Sequence, residues 1–250
     1  MTESSGQLPP AFYAATVRRS PCTDWWVLLH APYTLWHLSY VGIGASLAPT
    51  FDGVRLTATM IAFFLAVGVG AHALDELNGR PLRTSIPSAL LAAAAVASIG
   101  GAVVLGIAGI GRVGPGLAVF IAVGVLLNFC YNLELFHGRL HNDITFAAAW
   151  GAFPLLTAYY AQAETIRPEA VAAAVFAYWQ STAQRALSTP ARTLRRRIDA
   201  IDGTVTNTDG IVTQLTRRQL LDPLETALRA MSWSMVALAV ALIVYRTNHR

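Results

Sequence analysis

The sequence predicts an all-α polytopic membrane protein, a bundle of about seven transmembrane helices. Three observations lead there. Hydrophobic residues make up 54% of the 250 positions and charged residues 13%, a balance suited to lipid rather than to a soluble core. The charges are also confined, leaving uncharged stretches at 25–51, 56–74, 84–111, 113–133, 144–163, 170–184 and 230–245. Finally, no ten-residue alternating pattern marks barrel strands, and helices satisfy their backbone groups within lipid.

Five of the stretches reach the roughly twenty residues that a helix needs to cross a bilayer. The two shorter ones, 170–184 and 230–245, can be extended because Arg185, Arg229 and Arg246 are able to snorkel at their ends. Residues 1–23 are expected to form a cytoplasmic N-terminal segment and 24–250 a single transmembrane domain. A cytoplasmic segment at about 186–229 separates the sixth and seventh helices. The N-terminus contains Pro9, Pro10, Arg18 and Arg19 but no continuous apolar core, so it lacks a signal-peptide pattern.

All 18 basic residues are arginine, which with the abundant Ala and Gly reflects a GC-rich genome and suggests a prokaryotic plasma membrane. Counted loop by loop, thirteen fall on one side and five on the other: Arg55, Arg112, Arg167, Arg246 and Arg250. The positive-inside rule puts the thirteen, and the N-terminus, in the cytoplasm. The net charge of +4 is better explained by orientation and anionic lipid headgroups than by nucleic acid. Cys22 and Cys130 are too far apart in the sequence, and too few, to argue for a disulfide framework or a zinc site.

The most informative segment is HALDELNGRPLRTSIP, residues 72–87, at the exit of the second helix. His72, Asp75, Glu76 and Gly79 share one face if the helix continues. A carboxylate pair able to hold a divalent cation, beside Asn78, Arg80 and Arg83, suits a lipid that carries a diphosphate. The alternative is a solvated helix end stopped by proline. Other helices turn polar at the same depth: His30, Tyr33, Thr34 and His37 on the first; Asn128, Tyr131, Asn132 and Glu134 on the fourth; Tyr178, Ser181, Thr182 and Arg185, beside Gln180 and Gln184, on the sixth. Hydrogen bonding between helices could account for any one of these stripes. Four together point to a cytoplasm-facing cavity.

At these residues the chain resembles the UbiA superfamily of intramembrane prenyltransferases. WWVLLHAPYTLWHLSYVGIGASLAP looks like that family's first helix, and HALDELNGRPLRTSIP occupies the place of its first aspartate-rich motif. FCYNLELFHGRLHNDITFAAAWGAFPLL is similar to its fourth-helix exit and fifth helix, and QRALSTPARTL to the stretch after its second aspartate motif. The resemblance covers roughly residues 25–197. It departs where Ala71 replaces an asparagine and Gly79 an aspartate. It departs again where Ala177, Tyr178, Ser181 and Thr182 leave no carboxylate for the second motif. About nine helices would be expected from the family.

The resemblance implies transfer of a prenyl group from a prenyl diphosphate to a lipophilic acceptor that enters from membrane lipid. Asp75 and Glu76 would act as catalytic residues and hold Mg²⁺. His72, Asn78, Arg80, Arg83, Tyr131, Asn132, Arg139 and Tyr178 would bind substrate. Tyr33, Trp36, Tyr131 and Trp179 are candidates to line a dry pocket for an allylic cation.

Weaker constellations remain. His137 and His141, near Glu134 and Asp143, could ligate metal but read better as interfacial residues. The 116–124 glycines read as packing surfaces. Ile211, Leu215, Leu220, Leu221, Leu224 and Leu228 suggest helices lying along the interface, a lid, or a linker. Arg192, Arg195, Arg196 and Arg197 either bind phosphate directly or anchor a loop to anionic lipid, the preferred reading. A non-catalytic isoprenoid-binding or scaffold protein on the same fold and a transporter are the competing function classes. No inverted repeat with broken helices favours the last.

Overall fold

A computed structural model describes residues 9–14 and 20–249; Arg18, Arg19 and Arg250 lie outside the described residues. The described residues are predominantly helical. A short helix α1 (Pro21–Leu28) precedes seven long ones: α2 (Ala31–Leu47), α3 (Gly53–Leu77), α4 (Ser88–Val113), α5 (Leu117–Asn132), α6 (Asp143–Ala163), α7 (Pro168–Arg196) and α8 (Arg217–Asn248). Four of them, α3, α4, α6 and α8, are long and apolar enough to cross a membrane, and α5 is a shorter apolar helix. The chain is an integral membrane protein. Its seven long helices agree with the uncharged stretches rather than with the family's nine.

Departures from the sequence expectation have local causes. The first uncharged stretch is not one helix. Pro32, the second residue of α2, has no N–H to continue a helix from α1, and His30 takes a left-handed φ of 47° at the break. Thr34 donates its hydroxyl to the Leu29 carbonyl at 2.6 Å, so it braces the break instead of extending a polar stripe. Ser20 and Thr23 cap α1 reciprocally, the arrangement that satisfies two of the orphan N–H groups at a helix start. Asp24 of α1 accepts from both the backbone N–H (2.6 Å) and hydroxyl (2.7 Å) of Ser85, which ties α1 to the loop after α3.

The 186–229 segment is also largely helical. α7 runs on to Arg196, and α8 begins at Arg217 behind a Thr216/Gln219 capping box. Leu221 and Leu228 of α8, with Leu224, pack on Ala191, Leu187 and Leu194 of α7 and on Tyr33. The expected interfacial helices are therefore the first turns of α8, held by an apolar seam against α7. Between the two helices, β1 (Thr204–Thr206) and β2 (Val212–Gln214) form an exposed antiparallel hairpin, with Val205 opposite Thr213.

The packing centre is α2, which lies against α6 and α8. Trp36, Tyr40 and Ile43 join Leu155, Ala177 and Met235 in the core. Trp36 Nε1 donates to Tyr40 Oη at 2.6 Å, so the Trp36 expected in a pocket is a core residue. Gly44 faces the Leu155 carbonyl so closely that a Cβ there would collide with backbone.

Two helices contain π-helical stretches, Phe64–Ala71 in α3 and Ala147–Ala152 in α6. Val67 and Ala71 of the first meet Ala149 and Trp150 of the second, with Tyr131, in one cluster. π turns widen a helix and leave carbonyls poorly matched to its own ladder. Here the Trp150 carbonyl lies 2.7 Å from His37 Nδ1 and the Gly68 carbonyl 3.1 Å from His72 Nδ1.

Candidate functional site

Above that cluster a cavity of about 480 Å³ opens at one end of the bundle. α3 contributes His72 and Asp75 to its wall, α5 contributes Tyr131 and Asn132, and the chain after α5 adds His141. The facing wall is α7, through Gln184, Arg185, Ser188, Thr189, Arg192 and Arg196. Residues 184, 188, 192 and 195 recur at helical spacing, which is why one face of α7 turns polar for more than three turns. Phe146 and Trp150 close the deep end.

Residues 9–14 cover the mouth. Arg195 Nη1 donates to the Pro9 carbonyl at 3.3 Å and Arg196 Nε to the Pro10 carbonyl at 3.0 Å. Phe12 lies under the Arg229 guanidinium, 5.2 Å from ring centroid to Cζ. Tyr13 packs edge-on against Tyr33 and tilted against His30. Burial pushes the Tyr13 phenol well above its usual range, so it acts as a neutral hydrogen-bonding group. Nothing in the sequence distinguishes this cover from a proline-containing tail.

Of the residues expected to bind substrate, His72, Asn78, Tyr131 and Asn132 line the cavity. Asn78 Nδ2 donates to the Asn132 carbonyl at 3.2 Å, joining the ends of α3 and α5. The others are placed differently. Helix α3 ends at Leu77, and the loop after it folds back over Glu76. That fully buried carboxylate accepts from Leu82 N at 2.9 Å, Thr84 N at 2.8 Å and Thr84 Oγ1 at 2.8 Å. Arg80 donates to the Ile86 carbonyl and Ser88 Oγ, each at 2.6 Å. Glu76 and Arg80 thus build the loop instead of lining the cavity. Arg83 and Arg139 are exposed outside the lining. Tyr178 lies outside it too, edge-on to Trp179, which is 63% exposed on the outer surface.

Three histidines in the wall share one arrangement. Nδ1 of His37, His72 and His141 lies 2.7–3.1 Å from the carbonyls of Trp150, Gly68 and Tyr131 respectively. A carbonyl only accepts, so Nδ1 of each ring carries a proton, and in a neutral ring Nε2 is then the acceptor. His72 also stacks on His30 with ring centroids 4.2 Å apart. Among the described residues, three buried polar atoms of the lining have no hydrogen-bond partner: His30 Nε2, Tyr131 Oη and Gln184 Oε1. Buried polar groups are nearly always paired, so these three are suited to meeting a ligand.

A second, apolar groove of about 380 Å³ lies between α3, α4, α5 and α6. It shares Val67 and Trp150 with the cavity and has Arg55 and Arg112 in its lining.

No family profile and no curated protein matches the chain. Among solved structures it is similar to a UbiA homolog from Archaeoglobus fulgidus, solved bound to Cd²⁺, with a TM-score of 0.52 and 14% identity over 90% of this chain and 86% of that one. The fold is UbiA-like. The resemblance thus extends well beyond the quoted motifs, to nearly the whole chain.

A UbiA-like fold raises the matter of Mg²⁺, and the donor set in this cavity does not fit it. Among the described residues no group of three or more His, Cys, Asp and Glu side chains could hold a metal ion. Asp75 is one carboxylate. Glu76 is enclosed by its loop, Glu225 is paired with Arg195 and Arg229, and Glu134 is half-exposed. Magnesium prefers an octahedral shell of oxygens, commonly anchored by carboxylates plus phosphate. The expected Asp75/Glu76 pair is divided between cavity and loop because side chains one position apart on a helix point about 100° apart.

Proposed function

We propose that this UbiA-like protein binds an isoprenoid diphosphate in the cavity and transfers its prenyl group to a lipophilic acceptor, from a site on the cytoplasmic face of a prokaryotic plasma membrane. One observation carries the reading. An arginine-walled cavity with an aromatic floor adjoins an apolar groove through Val67 and Trp150. A diphosphate suits the first compartment and an isoprenoid chain the second.

In the reaction, the C1–O bond of the allylic diphosphate breaks and the leaving diphosphate keeps the electron pair. Guanidinium groups stabilise that growing charge most effectively where water is excluded. The aromatic faces of Tyr131, Phe146 and Trp150 suit the allylic cation. The acceptor then forms a bond to C1 and loses a proton, for which Nε2 of His37 or His72 is available within the wall. The site residues proposed on this reading are Arg185, Arg192, Arg196, His72, Asn78, Tyr131 and Asn132. Asp75 faces the charges of Arg192 and Arg196.

The test is incubation of the purified protein, in lipid, with labelled prenyl diphosphates of graded length and a membrane-lipid extract as acceptor. A labelled organic-soluble product with stoichiometric release of inorganic diphosphate is expected. Saturable binding without product would support a carrier on the same fold, the reading that the missing second carboxylate cluster favours. Absence of both binding and product would overturn the proposal.

A further inference from the structure

We infer that the diphosphate is held by guanidinium groups directly, with no bridging divalent cation, at Arg185, Arg192 and Arg196 of α7. This rests on the proposed function, because it names how the same cavity grips its ligand.

The first argument is donor supply. Each guanidinium carries five N–H groups in a planar fork suited to phosphate oxygens. Arg192 makes one long contact, 3.4 Å from Nη2 to Thr189 Oγ1. Arg196 uses Nε on the Pro10 carbonyl, and Arg185 uses Nε on Asp143 at 2.9 Å. Among the described residues the Nη groups of Arg185 and Arg196 are without a hydrogen bond, as are most donors of Arg192. Arg195 differs, since Glu225 holds both its Nε and its Nη2.

The second argument is placement. Arg192 and Arg196 are one turn apart on α7, a rise of about 6 Å, within reach of adjacent phosphates for side chains of this length. Arg185 sits deeper, its guanidinium 5.0 Å from the centre of the Phe146 ring. Ser188 and Thr189, between them on the same wall, add hydroxyl donors. Their position near the C-terminus of α7 also suits positive charge.

The third argument is the carboxylate that remains. Among the described residues the Asp75 carboxylate makes no hydrogen bond or ion pair, yet it faces Arg192 and Arg196 across the cavity. With a metal it would be the anchor of the site. Without one it is the counter-charge that the arginines see before ligand arrives, and it opposes the incoming phosphate. The two mechanisms therefore predict opposite effects of removing it.

The experiment measures binding of a prenyl diphosphate to the full-length protein in nanodiscs of zwitterionic lipid, in EDTA and in excess Mg²⁺. Affinity is expected to agree within about threefold between the two conditions. Asp75→Asn is expected to bind at least as tightly as the native chain. Arg192→Gln and Arg196→Gln should each weaken binding about tenfold or more, with inorganic diphosphate competing for the native site. A Mg²⁺ requirement, or loss of binding in Asp75→Asn, would overturn the inference and leave the proposed function standing. Absence of binding in both conditions would overturn both. Displacement by phosphatidylglycerol but not by inorganic diphosphate would reassign the arginines to lipid headgroups and also overturn it. If the arginine variants fail to fold, the native protein in EDTA and Asp75→Asn still decide.

Discussion

Asp75 and Glu76 are neighbours in sequence and opposites in structure. Glu76 satisfies three buried donors of the 82–84 loop, whereas the Asp75 side chain opens to the cavity. Glu76→Ala should leave those donors unsatisfied and cost about 3 kcal/mol or more, seen as a large fall in the thermal unfolding temperature in detergent. Asp75→Asn should leave that temperature where it is. Equal destabilisation by both would mean that the loop does not depend on Glu76. The helical spacing rule found Asp75 and His72 because α3 persists through them. It set Glu76 beside Asp75 although one step along a helix turns a side chain by about 100°. It could not place Arg80 and Arg83, because side-chain direction beyond Leu77 depends on how a proline-stopped loop folds back, which no periodicity encodes.

At the scale of elements, uncharged stretches located the long helices because burying a charge in lipid is costly. They underestimated α7 and α8, which continue beyond the uncharged stretches as a paired stalk. That stalk is stapled by the Arg195–Glu225 ion pair, with both side chains at most 10% exposed. Glu225→Ala should strand a buried guanidinium and cost about 3–5 kcal/mol. Protease accessibility near Pro9 should rise with it, because Arg195 also holds that carbonyl. A stable, protease-resistant variant would show that the cover is held by other contacts. The groove between α3, α4, α5 and α6 makes a separate prediction. Ala62 lines it, so Ala62→Trp should shorten the longest prenyl chain accepted in the labelled-diphosphate assay while leaving the shortest one bound. Uniform loss across all lengths would indicate that the chain lies elsewhere.

For the whole molecule, arginine asymmetry is reproduced in space. The cavity gathers Arg185, Arg192, Arg195, Arg196 and Arg197. Arg55 pairs with Glu164, and Arg246 donates to the Ala48 and Pro49 carbonyls, among loops at the other end. Seven long helices put the cover over the cavity and the end of α8 beside Ala48, at opposite ends of the bundle. With Cys22 and Cys130 replaced by serine, Asp209→Cys in the hairpin and Glu164→Cys should react with impermeant thiol reagents from opposite sides of sealed vesicles. Reaction from one side for both would refute the seven-span arrangement. The bundle was legible in sequence because lipid imposes a crude rule on every residue. The cavity's basic wall was half legible: Arg192, Arg195 and Arg196 were visible as a cluster, but a cluster alone cannot say whether it lies on a loop or on the last turns of a helix.

The π-helical stretch Phe64–Ala71 has one more consequence. An α-helix advances about 100° per residue, and a π turn absorbs an additional residue within nearly the same rotation. The stretch therefore sets the angular phase of everything after it, like a dial turned ahead of His72 and Asp75. Forcing the same residues into a regular helix would swing both side chains by about 100° away from α7. Removing one residue, for example Ala66, instead takes up the surplus and should leave a regular helix with His72 and Asp75 still facing α7. Circular dichroism should show helix content preserved and prenyl-diphosphate binding should persist; loss of binding with the helix intact would mean that the stretch does not set the phase in this way. Substituting Ala66 by Val, which keeps the count, should leave the phase as it is.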